Sequence, residues 1–411
     1  MGYQQGLSGI SGAARDLDVI GNNVANANTI GFKQGVARFS DMYANSIATA
    51  VNNQIGIGTR LAAVQQQFTQ GGIMSTGREL DIAINGNGFF QMESNGVLTY
   101  SRDGSFEMRD GYLVNFAGQR LMGYAANASG VVNTASTVPL KIPMGNLPPK
   151  ATTSITAGLN LNAQDALPKT TPFAKDDSSS YNYATSVPVY DSLGGSQDVN
   201  MYFVKTSAGN WDVYAGTANG TIARVGSAQF DTSGNLLTTT DAAGAPTARP
   251  FAFNFTVPTT DGSATPQPLT LDIAGTTQYG GKSGINALDQ DGFESGRLAS
   301  FSVDSDGMLI GTYTNKKTQV IGQVALATFA NPNGLMNLGN NQYAATQVSG
   351  VPQVSAPGST NHGSLQGGAL EASNVDLTSE LVHMISAQRN YQANAQTIKT
   401  QQAIDNTLIN L

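Results

Sequence analysis

The sequence predicts a mixed, mainly β protein. Its two α-helical, coiled-coil-like termini pair with each other, and two nested β-rich domains lie between them. Three observations predict this. Both ends carry apolar residues at alternating spacings of three and four. The long middle switches to period two, with Asn-Gly and Asp-Gly pairs between its runs. A second β-rich stretch interrupts the first and is entered through Pro143 and Pro148-Pro149.

At the start of the chain, Tyr3, Leu7, Ile10, Ala14, Leu17, Gly21 and Val24 form the stripe. Gly21 and the cluster Asn22, Asn23, Asn26 and Asn28 weaken it, and Gly31 supplies a helix stop. Residues of about 30–70 are poor in charge and hold Gln65-Gln66-Gln67 and several glycines, which predicts a partly ordered connector. At the other end Ser373-Asn374-Val375-Asp376 has a capping-box pattern. The stripe that follows is Leu377, Leu381, Met384, Gln388, Tyr391, Ala395 and Ile398, while Ile404, Leu408 and Leu411 fall on another face. No proline interrupts either stretch. A continuous C-terminal helix of roughly 36–38 residues is a rod about 55 Å long. One helix with two apolar faces needs two partners. Antiparallel pairing of the two ends, with the leftover face meeting other copies, is one solution; packing of both helices on the chain's own β core is the other.

Between the ends, Asp81–Asn85, Phe89–Met92, Val97–Tyr100, Ser105–Met108 and Tyr112–Val114 read as short strands, with turns at Asn95-Gly96, Asp103-Gly104 and Asp110-Gly111. Leu298–Val303, Met308–Thr314 and Gln319–Phe329 follow later, with a turn at Asp306-Gly307. The interrupting unit contributes Ser186–Tyr190, Val199–Lys205, Trp211–Tyr214, Phe251–Val257 and Leu269–Ile273. The predicted division is therefore 1–70 with 372–411 as the helical terminal domain, 71–146 with 291–371 as a middle β domain, and 147–290 as an inserted β domain. The prolines near 143–149 and the glycine-rich return near 280–284 are the expected hinges.

Composition narrows the function. The chain has 411 residues, long for one core. Lys plus Arg total 21 and Asp plus Glu 28, a net charge of −7 that argues against nucleic acid or an anionic membrane as partner. Only 12% of residues are charged, against about 25% in a typical soluble protein. Such a surface repels copies of itself weakly, which suits a protein that packs against itself and also fits a secreted β-protein. With no cysteine, thiol chemistry and disulfides are excluded. Met1–Gly6 shows neither a basic n-region nor an apolar h-region, so no cleaved leader is expected, and no apolar run reaches transmembrane length.

Sites for chemistry are sparse. Of the two histidines, His383 reads as a helix-face residue, and no clustering with His362 suggests zinc. Gly56-Ile57-Gly58 lacks the third glycine of a dinucleotide loop. Asp304-Ser305-Asp306-Gly307 lacks the later ligands of a calcium loop and reads as a hairpin turn. Asn85-Gly86-Asn87-Gly88 needs nothing beyond a tight turn, and no serine sits in a nucleophile elbow. No catalytic, cofactor-binding or metal-binding residue is assigned. A secreted enzyme would need a polar cluster in a cleft. A monomeric adhesin-like module would keep structured ends without polymerising.

The segment Leu17-Asp18-Val19-Ile20-Gly21-Asn22-Asn23-Val24-Ala25-Asn26-Ala27-Asn28-Thr29-Ile30-Gly31-Phe32-Lys33 resembles the N-terminal signature of the bacterial flagellar rod and hook axial proteins. Leu370–Leu377, Glu380-Leu381-Val382 and Ala387–Asn394 resemble that family's C-terminal signature, and Leu80–Phe90 resembles the start of its middle domain. The signature positions are Gly21, Asn22, Asn23, Asn26, Gly31, Phe32, Asn374, Asp376, Gln388, Arg389 and Tyr391. The large insertion, and within it Val189-Tyr190-Asp191-Ser192-Leu193-Gly194, is similar to hook members; the distal rod protein, shorter and without such an insertion, is the alternative.

The resemblance implies a structural subunit, not an enzyme, that polymerises into a curved tube acting as a universal joint. The paired ends would line the export channel, with the middle and inserted domains as outer shells. Leu7, Ile10, Leu17, Val24, Leu381, Met384, Tyr391, Ile398 and Leu408 would mediate packing within and between subunits. Each contributes on the order of 1.5–3 kcal/mol when fully buried. The implied partners are copies of itself, the distal rod protein, the hook cap protein, the hook–filament junction protein and the flagellar type III export apparatus. The implied location is the flagellar basal body and hook, outside the cell after export without a cleaved leader. No cofactor, nucleic acid or membrane insertion is implied. With few partners in the free monomer, the helical ends are expected to be largely disordered before assembly.

Overall fold

Both terminal helices form: α1 spans Gly2–Ala25 and α2 spans Leu377–Ile409. The computed structural model describes residues 2–42, 56–218, 220–247, 251–259, 261–359 and 361–409. The chain folds as two compact units, 1–144 with 300–312 and 318–411, and 145–299 with 313–317. The fold is mainly β between paired helices, as the periodicities predict.

In the first unit α1 and α2 run antiparallel, since Gly6 faces Thr397 and Ile398, Gly9 faces Asn394, and Asn23 reaches Glu380. Helix α2 starts one turn later than the capping-box reading places it. Asp376 is the cap, its Oδ1 accepting from the backbone N–H of Thr378 (2.9 Å) and Ser379 (3.4 Å). Ser373 Oγ accepts instead from Val375 N–H (3.3 Å) in the approach to the helix.

The expected connector holds an antiparallel hairpin, Gly35–Met42 with Gly58–Gln66, bulged between Arg38 and Phe39. Residues 43–55 of that stretch lie outside the described residues. The hairpin is fastened along α1: Gln5 Nε2 donates to the Gly56 carbonyl (2.7 Å), Ser8 Oγ accepts from Thr59 N–H (3.4 Å), and Gly12 lies against Phe39 and Thr59.

Beyond the hairpin, Thr318–Val324, Arg120–Ala125, Phe89–Ser94, Val97–Ser101, Gln342–Ala344 and Met336–Gly339 lie side by side, antiparallel. Phe90, Met92, Phe106, Leu113 and Leu121 are among its buried residues. Two tight turns form where sequence places them: Asn95-Gly96 and Asp110-Gly111 both have positive φ at each residue. Asp103-Gly104 does not follow, because Gly104 instead packs against the Ile82 carbonyl. The C-terminal segment is stitched to the N-terminal one by pairing of Ser364–Gly367 with Ile82–Asn85 and of Ala369–Glu371 with Ile73–Ser75.

The second unit has a six-stranded antiparallel meander, from Tyr183–Tyr190 through Ser196–Ser207, Asn210–Thr217, Ala223–Phe230 and Leu236–Asp241 to Pro246–Thr247. Its other sheet orders Ala252–Val257, Gln267–Asp272, Ser154–Asn160 and Gly284–Gln290. Alternate residues of both, including Val199, Met201, Phe203, Trp211, Val213, Ile155, Leu159, Phe253 and Leu271, form one buried cluster. The return near 280–284 is no free hinge, since the strand beginning at Gly284 pairs antiparallel with Ser154–Asn160.

Candidate functional site at the paired chain ends

The helix pair is built differently from its predicted stripe. The inner side of α1 runs along Gly6, Gly9, Ala13, Asp16, Ile20 and Asn23, one position round the helix from the expected line. One residue is about 100° on a helix, so both lines share the spacing of three and four, and periodicity cannot separate them. Size separates them. A Cβ on Gly9 would lie 2.4 Å from Asn394 Oδ1, and one on Gly6 2.8 Å from the Ile398 side chain. Small residues let the backbones close.

The larger apolar side chains are consequently left over. Leu7 is 64% exposed and Leu381 50%, and Tyr3, Leu377, Val382, Ile385, Tyr391 and Ile404 are exposed as well. Ile10, Leu17, Val24, Met384 and Ile398 are half-buried. The Leu408 side chain, and Leu411 altogether, lie outside the described residues.

Where the helices meet the β region, a buried polar clasp joins the two ends of the chain. Lys33 and Glu371 are fully buried and Arg102 is 3% exposed. Lys33 Nζ donates to Glu371 Oε1 (2.7 Å) and to the Thr69 carbonyl (2.7 Å). Arg102 Nη1 donates to Glu371 Oε2 (3.1 Å), and its Nη2 to the Gly86 carbonyl (2.8 Å). Gly71 N–H is the third donor to the carboxylate, on Glu371 Oε1 (2.9 Å). Burial lowers the pKa of both Lys33 and Arg102, and the Glu371 carboxylate opposes that shift.

A second polar group sits beside the first. Asn23 Nδ2 donates to the Gly35 carbonyl (2.8 Å) and to Glu380 Oε2 (3.3 Å), while its Oδ1 accepts from Gly35 N–H (2.9 Å). Gln34 Nε2 also donates to Glu380, and Gln34 N–H donates to Asn374 Oδ1 (2.8 Å). Asn374 Nδ2 in turn donates to the Gln67 carbonyl (2.8 Å) and to Thr69 Oγ1 (2.8 Å).

The signature residues therefore divide by role. Asn23 and Asn374 belong to the second polar group, beside the clasp. Asn26 donates to the Asn22 carbonyl (2.9 Å) and closes the end of α1. Gly31 has φ +69°, and a Cβ there would meet the Asp103 backbone nitrogen at 2.7 Å. Its N–H donates to the Glu371 carbonyl (2.8 Å). Phe32 and Gly21 are half-buried, Asp376 caps α2, and Gln388, Arg389 and Tyr391 face solvent. Glu371, Glu380, Lys33, Gln34 and Arg102 were not singled out from sequence. The available signal was charge inside a signature: Lys33, Glu371 and Glu380 lie within or directly beside its motifs in a chain with few charges.

The site offers a buried, hydrogen-bonded closure of the chain ends and an uncovered apolar surface. Among the described residues no three His, Asp or Glu side chains gather as a metal site, and no helix is long and apolar enough to cross a membrane. Arg102 also lines a cavity of about 400 Å³ with Phe68, Phe89 and Phe329.

Family models match four stretches: "Flagella basal body rod protein" over 4–33, "Flagellar hook protein FlgE/F/G D1 domain" over 83–158, "Flagellar basal body protein FlaE D2 domain" over 160–293, and "Flagellar basal body rod FlgEFG protein C-terminal" over 366–411. The flagellar hook protein FlgE of Escherichia coli K12 is 43% identical over 419 residues, and that of Salmonella typhimurium 42% over 426, each alignment covering 100% of both chains. The crystal structure of Helicobacter pylori flagellar hook protein FlgE2 shares the fold with a TM-score of 0.51 at 14% identity, covering 73% of this chain and 99% of that one.

Proposed function

The chain belongs to the flagellar hook protein family, and from that premise we propose how its paired ends make it a hook subunit. It is a structural protein of the flagellar hook and basal body that polymerises with copies of itself. In our reading the polymer is a curved tube that carries motor torque to the filament. The helix pair forms the inner tube around the export channel, and the segments 71–146 with 291–371 and 147–290 form the shells outside it.

The observation that carries this reading is the exposure of Leu7, Leu381 and Tyr391 on helices whose own seam is made by small and polar residues. Apolar surface gains by being covered, at about 25 cal/mol per Å². Together with Ile10, Leu17, Val24, Met384, Ile398 and Leu408, these side chains are assigned to contacts between copies. The buried polar cluster is assigned to closure and not to turnover, so the protein is read as having no enzymatic activity. The distal rod protein would contact the first copies, the hook cap protein the growing end and the junction protein the last, and the type III export apparatus would deliver each copy.

Deleting the gene and imaging purified basal bodies tests this. A complete rod with no hook and no filament is expected. A truncated rod would make the chain a rod protein, and a hook without filament a junction protein.

A further inference from the structure

The clasp holds one more positive charge than negative. Lys33 and Arg102, both buried, share the single carboxylate of Glu371. Arg102 is also short of a partner. Its Nη1 donates to Glu371 and its Nη2 to the Gly86 carbonyl, but its buried Nε has no hydrogen-bond partner among the described residues. An unmet donor on a buried charged group costs free energy and calls for an acceptor. Arg102 is part of the wall of the cavity of about 400 Å³, and it is the one charged residue among the described lining residues. Phe89 and Phe329 are buried in the same wall, with the guanidinium carbon of Arg102 5.5 Å from the centroid of the Phe89 ring. Phe68 meets Phe89 edge to face. Asn87 and Gln353 also line the cavity and are exposed, so it opens to solvent on their side.

We propose that this cavity is a binding site for a small aromatic carboxylate, a monoanion with one flat apolar ring. Each part of that description comes from the wall. The carboxylate answers both the surplus charge of the clasp and the unpartnered Nε–H, and a hydrogen bond between ionised groups is stronger than a neutral one. A monoanion suffices because the surplus is a single charge; a dianion would replace it with a surplus of the opposite sign. The ring suits a wall of Phe68, Phe89 and Phe329, on which it can stack or pack edge to face. The volume falls within the usual range of small-molecule sites, about 300–1,000 Å³. The site is complete only when the first unit is closed, because Phe68, Phe89, Arg102 and Phe329 come from distant parts of the chain and Glu371 arrives with the C-terminal segment. A bound carboxylate therefore stabilises the closed chain ends by mass action. The inference does not depend on the hook reading.

Benzoate is the probe, titrated calorimetrically into the full-length chain. Benzamide serves as its uncharged counterpart, and acetate as the charge without the ring. Benzoate should bind once per chain, and benzamide and acetate more weakly by about tenfold or more. Saturating benzoate should raise the urea midpoint of helical circular dichroism and leave that of Trp211 fluorescence, in the second unit, unmoved. The Nε–H signal of Arg102 in nuclear magnetic resonance should shift on titration. Two variants locate the site. Ala330→Trp places an indole at an exposed lining position that no clasp bond uses, and should abolish binding while far-UV circular dichroism stays unchanged. Arg102→Lys keeps a cation for Glu371 but loses the guanidinium Nε–H, and should weaken binding by about tenfold or more. Should Arg102→Lys fail to fold, Ala330→Trp decides alone. Benzamide bound as tightly as benzoate would sink the charge argument, and undiminished binding to Ala330→Trp would put the ligand elsewhere. Benzoate that neither binds nor moves the helical midpoint would leave the cavity to water and overturn the proposal.

Discussion

The second unit and the helix pair solve opposite problems. In the second unit the large apolar side chains of two sheets point at each other, and Trp211, Val213, Leu159 and Leu271 are sealed inside one cluster. In the helix pair the interior is made by Gly6, Gly9, Ala13 and Asn23, while Leu7 and Leu381 face outward. The difference teaches what each region is finished by. The second unit is complete as a single chain. The pair is held by a clasp of Lys33, Arg102 and Glu371, and its larger apolar side chains are left uncovered by the chain itself.

The comparison can be broken most severely at the clasp. Glu371→Ala leaves two buried cations without their carboxylate, which should destabilise the first unit by about 3–5 kcal/mol. The sole tryptophan, Trp211, lies in the second unit, so its fluorescence should keep its urea midpoint while helical circular dichroism is lost earlier. Leu271→Ala is the reverse experiment. It should cost the second unit about 2–5 kcal/mol, moving the Trp211 transition and sparing the helices. Gly31→Ala meets both a positive φ and the Asp103 backbone, and should cost about 1–3 kcal/mol, read as faster hydrogen exchange at the amides of Gly31 and Gly35. Asp376→Ala removes the α2 cap and should cost about 1 kcal/mol, seen as fraying of the first turn.

The smallest effect is on pH. Burial pushes the Asp16 carboxyl up, His383 opposes, and Glu380 adds to the rise. A raised value in the folded state means that the folded chain holds the proton longer than the unfolded one. This contribution is fully present below the ordinary carboxylate range and is lost as pH rises through the raised value. Helix-pair stability, followed by circular dichroism, should therefore fall with rising pH across that window, and Asp16→Asn should flatten the slope.

Much of this was legible in the chain and some was not, for physical reasons. Asn95-Gly96, Asp110-Gly111 and Asp306-Gly307 announce turns because they tolerate positive φ, and each of these pairs takes it at one or both residues. The inward alternation of Val199, Met201 and Phe203 is visible for the same local reason. The face of α1 that meets α2 was misplaced by one position, since spacing records a period and not which of two stripes is inside. Arg102 was missed because its partners are Glu371 and Gly86, and only the fold brings residues 102 and 371 together. The hairpin of Gly35–Met42 with Gly58–Gln66 was missed because neither of its faces is sealed: its residues are mostly half-buried or exposed, so apolar and polar side chains do not alternate along it.

The clasp also sets an order of events. Lys33 and Glu371 are 338 residues apart, and Arg102 and Glu371 are 269 apart. A chain emerging amino end first has both cations in hand long before the one carboxylate that lets them be buried. Until nearly the last tenth of the polypeptide arrives, closing the first unit would strand two charges away from water, so it stays open. Glu371 thus acts as a completeness check: a chain cut short before it can fold its second unit yet never offer a finished pair of ends to the growing polymer.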